Sequence, residues 1–192
     1  MQAPQAESAG DGWLRLSRTQ IMRMFGVSSA QACPRSAKSG RDVARLQAEG
    51  DTVWISVNKV LQFRLAMAGR GDRVHSLRVY VPIVNLSPAR GDKVVAILRA
   101  FLTAEFPHWK EAKDWPTQSM ASAWNASGNA MDRKPFSPND IITRKTIGNE
   151  TVSTFGVPPD IILYAATARQ ECIPRQSHSS NPMDDPIQRV VC

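Results

Sequence analysis

One stretch of the chain limits the fold more than any other, a helical run whose apolar residues fall on a single face. These residues recur at spacings of three and four and are Val94, Ile97, Leu98, Phe101 and Leu102. Asp92 is the expected cap of this helix and Pro107 its end, because proline cannot continue the helical hydrogen-bond ladder. A stripe of this width needs a second layer to cover it, and we expect that layer to be a sheet.

Segments that alternate apolar and polar residues lie on both sides of this helix and predict β-strands. They span residues 53–57, 61–67, 77–83, 141–147, 150–155 and 161–168. Asn58-Lys59 and Gly148-Asn149 suit turns between neighbouring strands, so antiparallel hairpins with one apolar face are expected. The predicted fold class is α+β, a two-layer sandwich in which two or three helices cover one face of an antiparallel sheet.

Local signals place two further helices. Ser17 and Gln20 form a capping box at the start of a first helix, and Gly26 ends it. A second helix is expected to begin at Trp115-Pro116, whereas residues 126–140 are rich in Ser, Gly, Asn and Pro and are predicted to form a loop. Because a helix followed by three strands occurs twice, a helix-βββ pseudo-repeat is a further expectation.

These elements fit one domain of ordinary size. The chain has 192 residues, of which 42% are hydrophobic and 21% charged, enough for one substantial core. We expect residues 1–12 to be disordered and residues 13–172 to form a single α+β domain. Residues 173–192 hold three prolines and few apolar residues, so they are predicted to be a draped or mobile tail.

The chain is basic, with a net charge of +7 that is spread along its length. Such a surface attracts phosphate, acidic proteins or anionic lipid. No apolar run reaches the length of about 18 residues that a membrane-spanning helix requires. Residues 1–12 lack the basic and apolar regions of an intact signal peptide and are similar to the polar start of a mature exported protein. An ordinary disordered cytosolic N-terminus is the alternative.

Three cysteines, Cys33, Cys172 and Cys192, lie far apart in loop-like contexts. Wide spacing favours a disulfide over a metal site, whose ligands usually come in close pairs. The expected bridge joins Cys33 to Cys172, although Cys192 could pair with either of them instead. Three unpaired thiols in a reducing cytosol are the alternative.

The polar positions of the strands carry the candidate binding residues. Arg64, Arg78, Tyr80, Arg144 and Lys145 are expected on the outer face of the sheet, which would then be comparatively polar and basic. A second group consists of Trp109 and Trp115, since aromatic residues near basic ones can anchor a partner or a ligand. The alternatives are a solvated surface for the first group and core filling for the second.

No arrangement of residues predicts a reaction. The three histidines, His75, His108 and His178, are scattered, and no nucleophile motif or metal-ligand spacing is present. Glu105, Glu111 and Asp114 lie near one helix end, but the neighbouring lysines favour a solvated, self-neutralising surface. We therefore expect no cofactor, no metal and no catalytic site.

A helix-turn-helix is the alternative site. Residues 17–32 resemble that motif in having a helix, a glycine turn and the start of a second helix, and its full extent would be 17–35. Met22 stands where the motif usually has a small residue, and Cys33-Pro34 would break the recognition helix early.

From these features we expect a non-enzymatic, exported, periplasmic binding or accessory module of a bacterium, which binds a protein partner or an anionic ligand. The alternative function is that of a cytosolic DNA-binding regulator.

Overall fold

The computed structural model describes residues 12–27, 30–32, 52–58, 61, 63–82, 87–131, 141–157 and 160–167. These residues form three helices and seven strands. The helices are α1 (Arg18–Met24), α2 (Pro88–Glu105) and α3 (Trp115–Met131). The strands are β1 (Ala30–Ala32), β2 (Thr52–Asn58), β3 (Phe63–Arg70), β4 (Arg73–Pro82), β5 (Ile141–Ile147), β6 (Glu150–Val157) and β7 (Asp160–Thr167).

All seven strands belong to one antiparallel sheet with the order β1-β2-β3-β4-β7-β6-β5. The first half of the chain contributes a meander that ends on β4, and the second half contributes a meander that ends on β7. These two last strands pair with each other, so each half presents its third predicted strand to the other. The predicted α+β sandwich is therefore confirmed.

The main core lies between the helices and one face of the sheet. The predicted stripe of α2 supplies Val94, Leu98, Phe101 and Leu102, all of them buried, and Ile97 packs at its edge. Phe101 meets Phe25 after the end of α1, with ring centres 5.7 Å apart. Leu77, Val79 and Leu163 cover this stripe from the central strands, as the alternation of residues in the sequence predicts.

The helix ends agree with the sequence at α1, at the end of α2 before Pro107 and at the start of α3 at Trp115, and they differ at the start of α2 and the end of α3. At α1 the predicted capping box is present, since the Ser17 hydroxyl accepts from the Gln20 amide and the Gln20 side chain accepts from the Ser17 amide. Asp92 does not cap α2, which starts earlier because Ser87 accepts from the Arg90 amide and Pro88 occupies the first turn.

The predicted loop at 126–140 and the predicted turn at Asn58-Lys59 also need correction. Helix α3 continues to Met131, because a helix anchored by buried Met120 and Ala123 propagates through residues of weak propensity until a stronger breaker follows. Asn58 pairs with Phe63, so four residues connect β2 and β3 instead of two. Ile83, predicted as an inward residue of β4, lies outside the described residues.

A β-bulge interrupts the pairing of β3 with β4. Ala68 pairs with Ser76, but Gly69 pairs with Val74, so His75 is an extra residue on β4. The backbones approach closely here, and a methyl group on Gly69 would overlap the Arg73 carbonyl oxygen and crowd the Val74 Cα atom. Position 69 therefore requires glycine, because no side chain fits between the two backbones.

We predict that Gly69→Ala destabilises the protein by about 2 kcal/mol or more, because the overlap is with backbone that cannot rotate away. Urea unfolding of the purified protein measures this change. Gly91→Ala is the matched control, since nothing lies within 4 Å of a methyl group on that residue of α2. It should stabilise the protein by about 0.5–1 kcal/mol through helix propensity. Equal effects of the two substitutions would contradict the close approach.

Candidate functional site

The outer face of the sheet, opposite the helices, carries a second buried cluster. Its members are Ala66, Tyr80, Phe155, Ile162, Tyr164 and Ala166, which come from β3, β4, β6 and β7. Within the described residues, the helices contribute no side chain to this second cluster. The prediction of a comparatively polar outer face is therefore wrong for the central strands, where the face is apolar and aromatic.

Two arginines lie on this apolar face of the sheet, each beside a tyrosine. Strand register places Arg64 opposite Tyr80 and Arg78 opposite Tyr164. The guanidinium carbon of Arg64 is 5.3 Å from the Tyr80 ring centre, and that of Arg78 is 5.6 Å from the Tyr164 ring centre. Both distances suit cation–π contacts, which strengthen when the groups are shielded from water.

An aspartate completes this arginine–tyrosine cluster, which we define as Arg64, Arg78, Tyr80, Asp160 and Tyr164. The Nη2 atom of Arg64 donates to Oδ2 of Asp160 at 2.7 Å. The Asp160 side chain is 3% exposed and that of Arg64 is 30% exposed, so the pair runs from the buried face toward solvent. The carboxylate requires this partner because an unpaired buried charge is costly.

The hydroxyl of Tyr80 is the unusual atom of the cluster. Tyr80 is 1% exposed, and its hydroxyl has no hydrogen bond of acceptable geometry to a described residue. Burial raises the pKa of this phenol, while the charges of Arg78 and Arg64 oppose that rise. The phenol is therefore a neutral donor, and the guanidinium groups beside it can only donate as well. No described residue, the Asp160 carboxylate included, accepts its proton.

The predicted basic residues are partly brought together. Arg64, Arg78 and Tyr80 are neighbours, as predicted. Arg144 shares their face, because it pairs with Ser153, which pairs with Tyr164, but it is exposed and three strands from Arg78. Three strand spacings amount to about 14 Å.

Lys145 is on the other face of the sheet, so its predicted place beside Arg144 is wrong. It pairs with Val152, which belongs to the core cluster under the helices. Adjacent strand residues point to opposite faces, and only one of the two could share the face of Arg78. Lys145 is exposed at the edge of the sheet.

The two predicted tryptophans lie among the helices and do not join the arginines. Trp109 and Trp115 have ring centres 5.5 Å apart, and Phe106 meets Trp109 edge to face at 5.9 Å. Trp115 is buried in the core and Trp109 is half-buried against it. These contacts are those of residues that seal the core between α2 and α3.

The structure also tests the premise of a helix-turn-helix. Residues 30–32 form β1 and pair with Trp54–Ser56 of β2, in the place where the second helix was expected to begin. A strand therefore replaces the start of the expected second helix, and the helix-turn-helix prediction is wrong for residues 30–32. The three cysteines, and with them the predicted Cys33–Cys172 bridge, lie outside the described residues.

Two negative findings apply to the described part of the chain. It contains no group of three or more His, Cys, Asp or Glu residues that could hold a metal ion. Its helices are too short or too polar to cross a membrane.

A pair of carboxyl groups lies apart from the arginine–tyrosine cluster, where the end of α2 meets the start of β6. Glu105 and Glu150 are both buried, and their carboxyl groups are close enough for each to affect the pKa of the other. Glu105 also accepts from the amides of Arg15, at 2.5 Å, and Leu16, at 2.9 Å. Oε2 of Glu150 has no partner among the described residues.

Burial raises the pKa of both carboxyl groups. For Glu150, burial and the charge of Glu105 raise the pKa to about 8. For Glu105, burial raises the pKa, while the amides of Leu16 and Arg15 oppose the rise. Glu150 therefore holds the proton at neutral pH, and it is the donor to the Glu105 carboxylate.

Sequence reasoning did not find Glu150, Asp160 or Tyr164, and it assigned Glu105 to a solvated surface. Glu150 follows the Gly148-Asn149 turn, where an acidic residue is ordinarily exposed. Asp160 follows two prolines and has the same signature. Tyr164 alternates with Leu163 in a run that is apolar on both faces, which was a signal that both faces of β7 are buried.

Comparisons with protein-family models, with curated proteins and with solved structures find no match for this chain. The functional argument therefore depends on the geometry described above.

We predict that Glu150→Gln removes a pH dependence of stability. The folded pKa of Glu150 is about 8, above its ordinary value of 4.5, so folding takes up a proton between these values. The free energy of unfolding should fall as pH rises from about 5 to 8 and then level off. One pKa unit corresponds to about 1.4 kcal/mol. Over this pH range, the decrease in the free energy of unfolding should therefore be smaller in the variant than in the wild type by at least that amount.

Urea unfolding at several pH values makes this comparison. Glu111→Gln is the control, since it removes an exposed carboxyl near the same helix end. Parallel curves for wild type and Glu150→Gln would show that Glu150 is ionised in the folded protein.

Proposed function

We propose that this protein is a binding module that holds an anionic ligand at the arginine–tyrosine cluster. The observation that carries the proposal is the buried Tyr80 hydroxyl, whose proton has no acceptor among the described residues. A buried donor without an acceptor costs about 1–3 kcal/mol. A carboxylate or phosphate oxygen would accept from it and receive further donors from the arginines beside it.

The composition of the cluster favours an anion over other ligands. Arg64 and Arg78 carry two positive charges and Asp160 one negative charge, so these three groups sum to +1. Guanidinium groups are planar and donate in pairs, which suits the oxygens of a carboxylate or phosphate. The apolar residues around them lower the local dielectric constant, and each contact to a charged oxygen is stronger as a result.

Access to the cluster would come from its arginine side. Arg64 is 30% exposed at its side chain and Arg78 is half-buried, whereas Tyr80 is enclosed. A ligand would meet the guanidinium groups first and Tyr80 last. The overall charge of +7 would raise the rate of encounter with an anion at low salt.

We predict that Tyr80→Phe weakens binding of inorganic phosphate by about tenfold or more, because a hydrogen bond to a charged group contributes about 1.5–3 kcal/mol. Arg78→Gln should weaken it further. Lys145→Gln is the matched control, since it removes one positive charge from the opposite face of the sheet. NMR titration at constant ionic strength gives the dissociation constants. Equal losses in Arg78→Gln and Lys145→Gln, with no loss in Tyr80→Phe, would indicate general electrostatics and contradict a site.

Without the anion, Tyr80→Phe should leave the free energy of unfolding unchanged or slightly higher, because the lost hydroxyl has no hydrogen-bond partner among the described residues. Urea unfolding in phosphate-free buffer tests this point. A loss above about 1 kcal/mol would show that the hydroxyl has a structural partner within the chain. Salt-dependent binding of duplex DNA that depends on Arg18 or Arg23 would favour the alternative regulator instead.

Export to the periplasm is part of the proposal and is supported by the three widely spaced cysteines of the sequence. A protein partner that presents a carboxylate or a phosphate would satisfy the same site. Thiol counting and peptide mapping on protein from its native host test the compartment. A Cys33–Cys172 bridge would support export, and three free thiols would contradict it.

A further inference from the structure

Residues 12–17 form a strap across one end of the sheet. The Leu14 amide donates to the Val74 carbonyl at 2.6 Å, and the Thr167 hydroxyl donates to the Gly12 carbonyl at 3.1 Å. Leu14 and Leu16 are buried in the main core. The strap therefore closes the core at the ends of β4 and β7.

Glu105 holds the middle of this strap. Its two carboxylate oxygens accept from consecutive amides, those of Arg15 and Leu16. Since Glu105 is the last residue of α2, one side chain connects the strap to the helix that covers the sheet. Glu150 is buried next to the same carboxyl group. Strand register pairs Glu150 with Thr167, the residue that holds Gly12.

We propose that Glu105 and Glu150 form a pH-sensitive switch that keeps the strap in place while they share one proton and releases it when both are ionised. In the closed state the carboxyl proton of Glu150 bridges to Glu105, and Glu105 retains its two amide contacts. Loss of that proton brings two negative charges together in a buried place. Movement of the strap away from the end of the sheet relieves this repulsion by admitting water.

Among the described residues no cation forms an ion pair with Glu150, although Lys145 of β5 shares its face and is exposed. From the strap, the Arg15 side chain is exposed and only weakly favours ionised Glu105. On β4, His75 contacts Trp13 at 5.8 Å and Arg73 lies 4.8 Å from the Trp13 ring centre. Asp72 is engaged with Thr19 at the start of α1. Helix α3 packs on β6 and carries no ionisable side chain.

Release of the strap would have defined structural effects. The Leu14, Arg15 and Leu16 amides would lose their partners, and Leu14 and Leu16 would expose apolar surface. The centre of the sheet, where β4 pairs with β7, would stay closed because its partners lie within the strands. The device therefore predicts a local opening whose equilibrium depends on pH.

Hydrogen–deuterium exchange of the full chain tests this proposal, with rates corrected for intrinsic base catalysis. Protection of the Arg15 and Leu16 amides should fall about tenfold between pH 7 and pH 9, while protection of the Val79 and Leu163 amides stays constant. In Glu150→Gln, whose amide group still donates to Glu105 but does not ionise, the fall should be less than about twofold. The same fall in wild type and variant would overturn the proposal.

A second measurement keeps the test decisive if the variant folds poorly. The ¹³C chemical shifts of labelled Glu carboxyl groups in the wild-type protein report each titration directly. The proposal expects one carboxyl to titrate near the pH at which the strap amides lose protection. Titration of every glutamate at its ordinary pKa, or opening of the strap without a coincident carboxyl titration, would refute it.

Discussion

The pairing of β4 with β7 is the interaction on which the rest of the structure depends. It joins two meanders that are far apart in sequence, from Ser76 with Ala166 to Pro82 with Asp160. No local signal can form it, since 78 residues or more separate the partners, and the loss of chain entropy must be offset by burial. That burial occurs on both sides, because β7 is buried along its whole length. The helices cover one side of the pair, and the arginine–tyrosine cluster lies on the other.

A strand pair buried on both faces sets strict conditions for polar groups. Asp160 has an ion-pair partner in Arg64. The rings of Tyr80 and Tyr164 form cation–π contacts with the two arginines. The Tyr80 hydroxyl and Oε2 of Glu150 do not meet these conditions within the described residues. Each such group costs stability, and a ligand oxygen would partly restore it at Tyr80. The binding proposal begins from the Tyr80 hydroxyl and the switch proposal from the Glu105–Glu150 pair, at separate places in the fold.

The extent to which the fold followed from sequence depends on the range of the interaction. The stripe of α2, the capping box of Ser17 and Gln20, and the six longer strands were all predictable because each depends on residues that are close in the chain. The start of α2 at Ser87 and the length of α3 were not, because several caps compete and packing decides between them. The bulge at His75 and the crowding of Gly69 depend on how two strands meet, and no single strand encodes them.

By itself the sequence determined the period-two faces of the strands, and with them the grouping of Arg64, Arg78 and Tyr80 on the side away from the helices. It determined equally that Arg144 and Lys145 could not share a face. Only the tertiary structure decided that this outer face is buried, that Tyr164 and Asp160 complete the cluster, and that Glu105 meets Glu150. The physical reason is that burial and pKa depend on which distant segments come together, whereas side-chain direction along a strand is fixed by local backbone geometry.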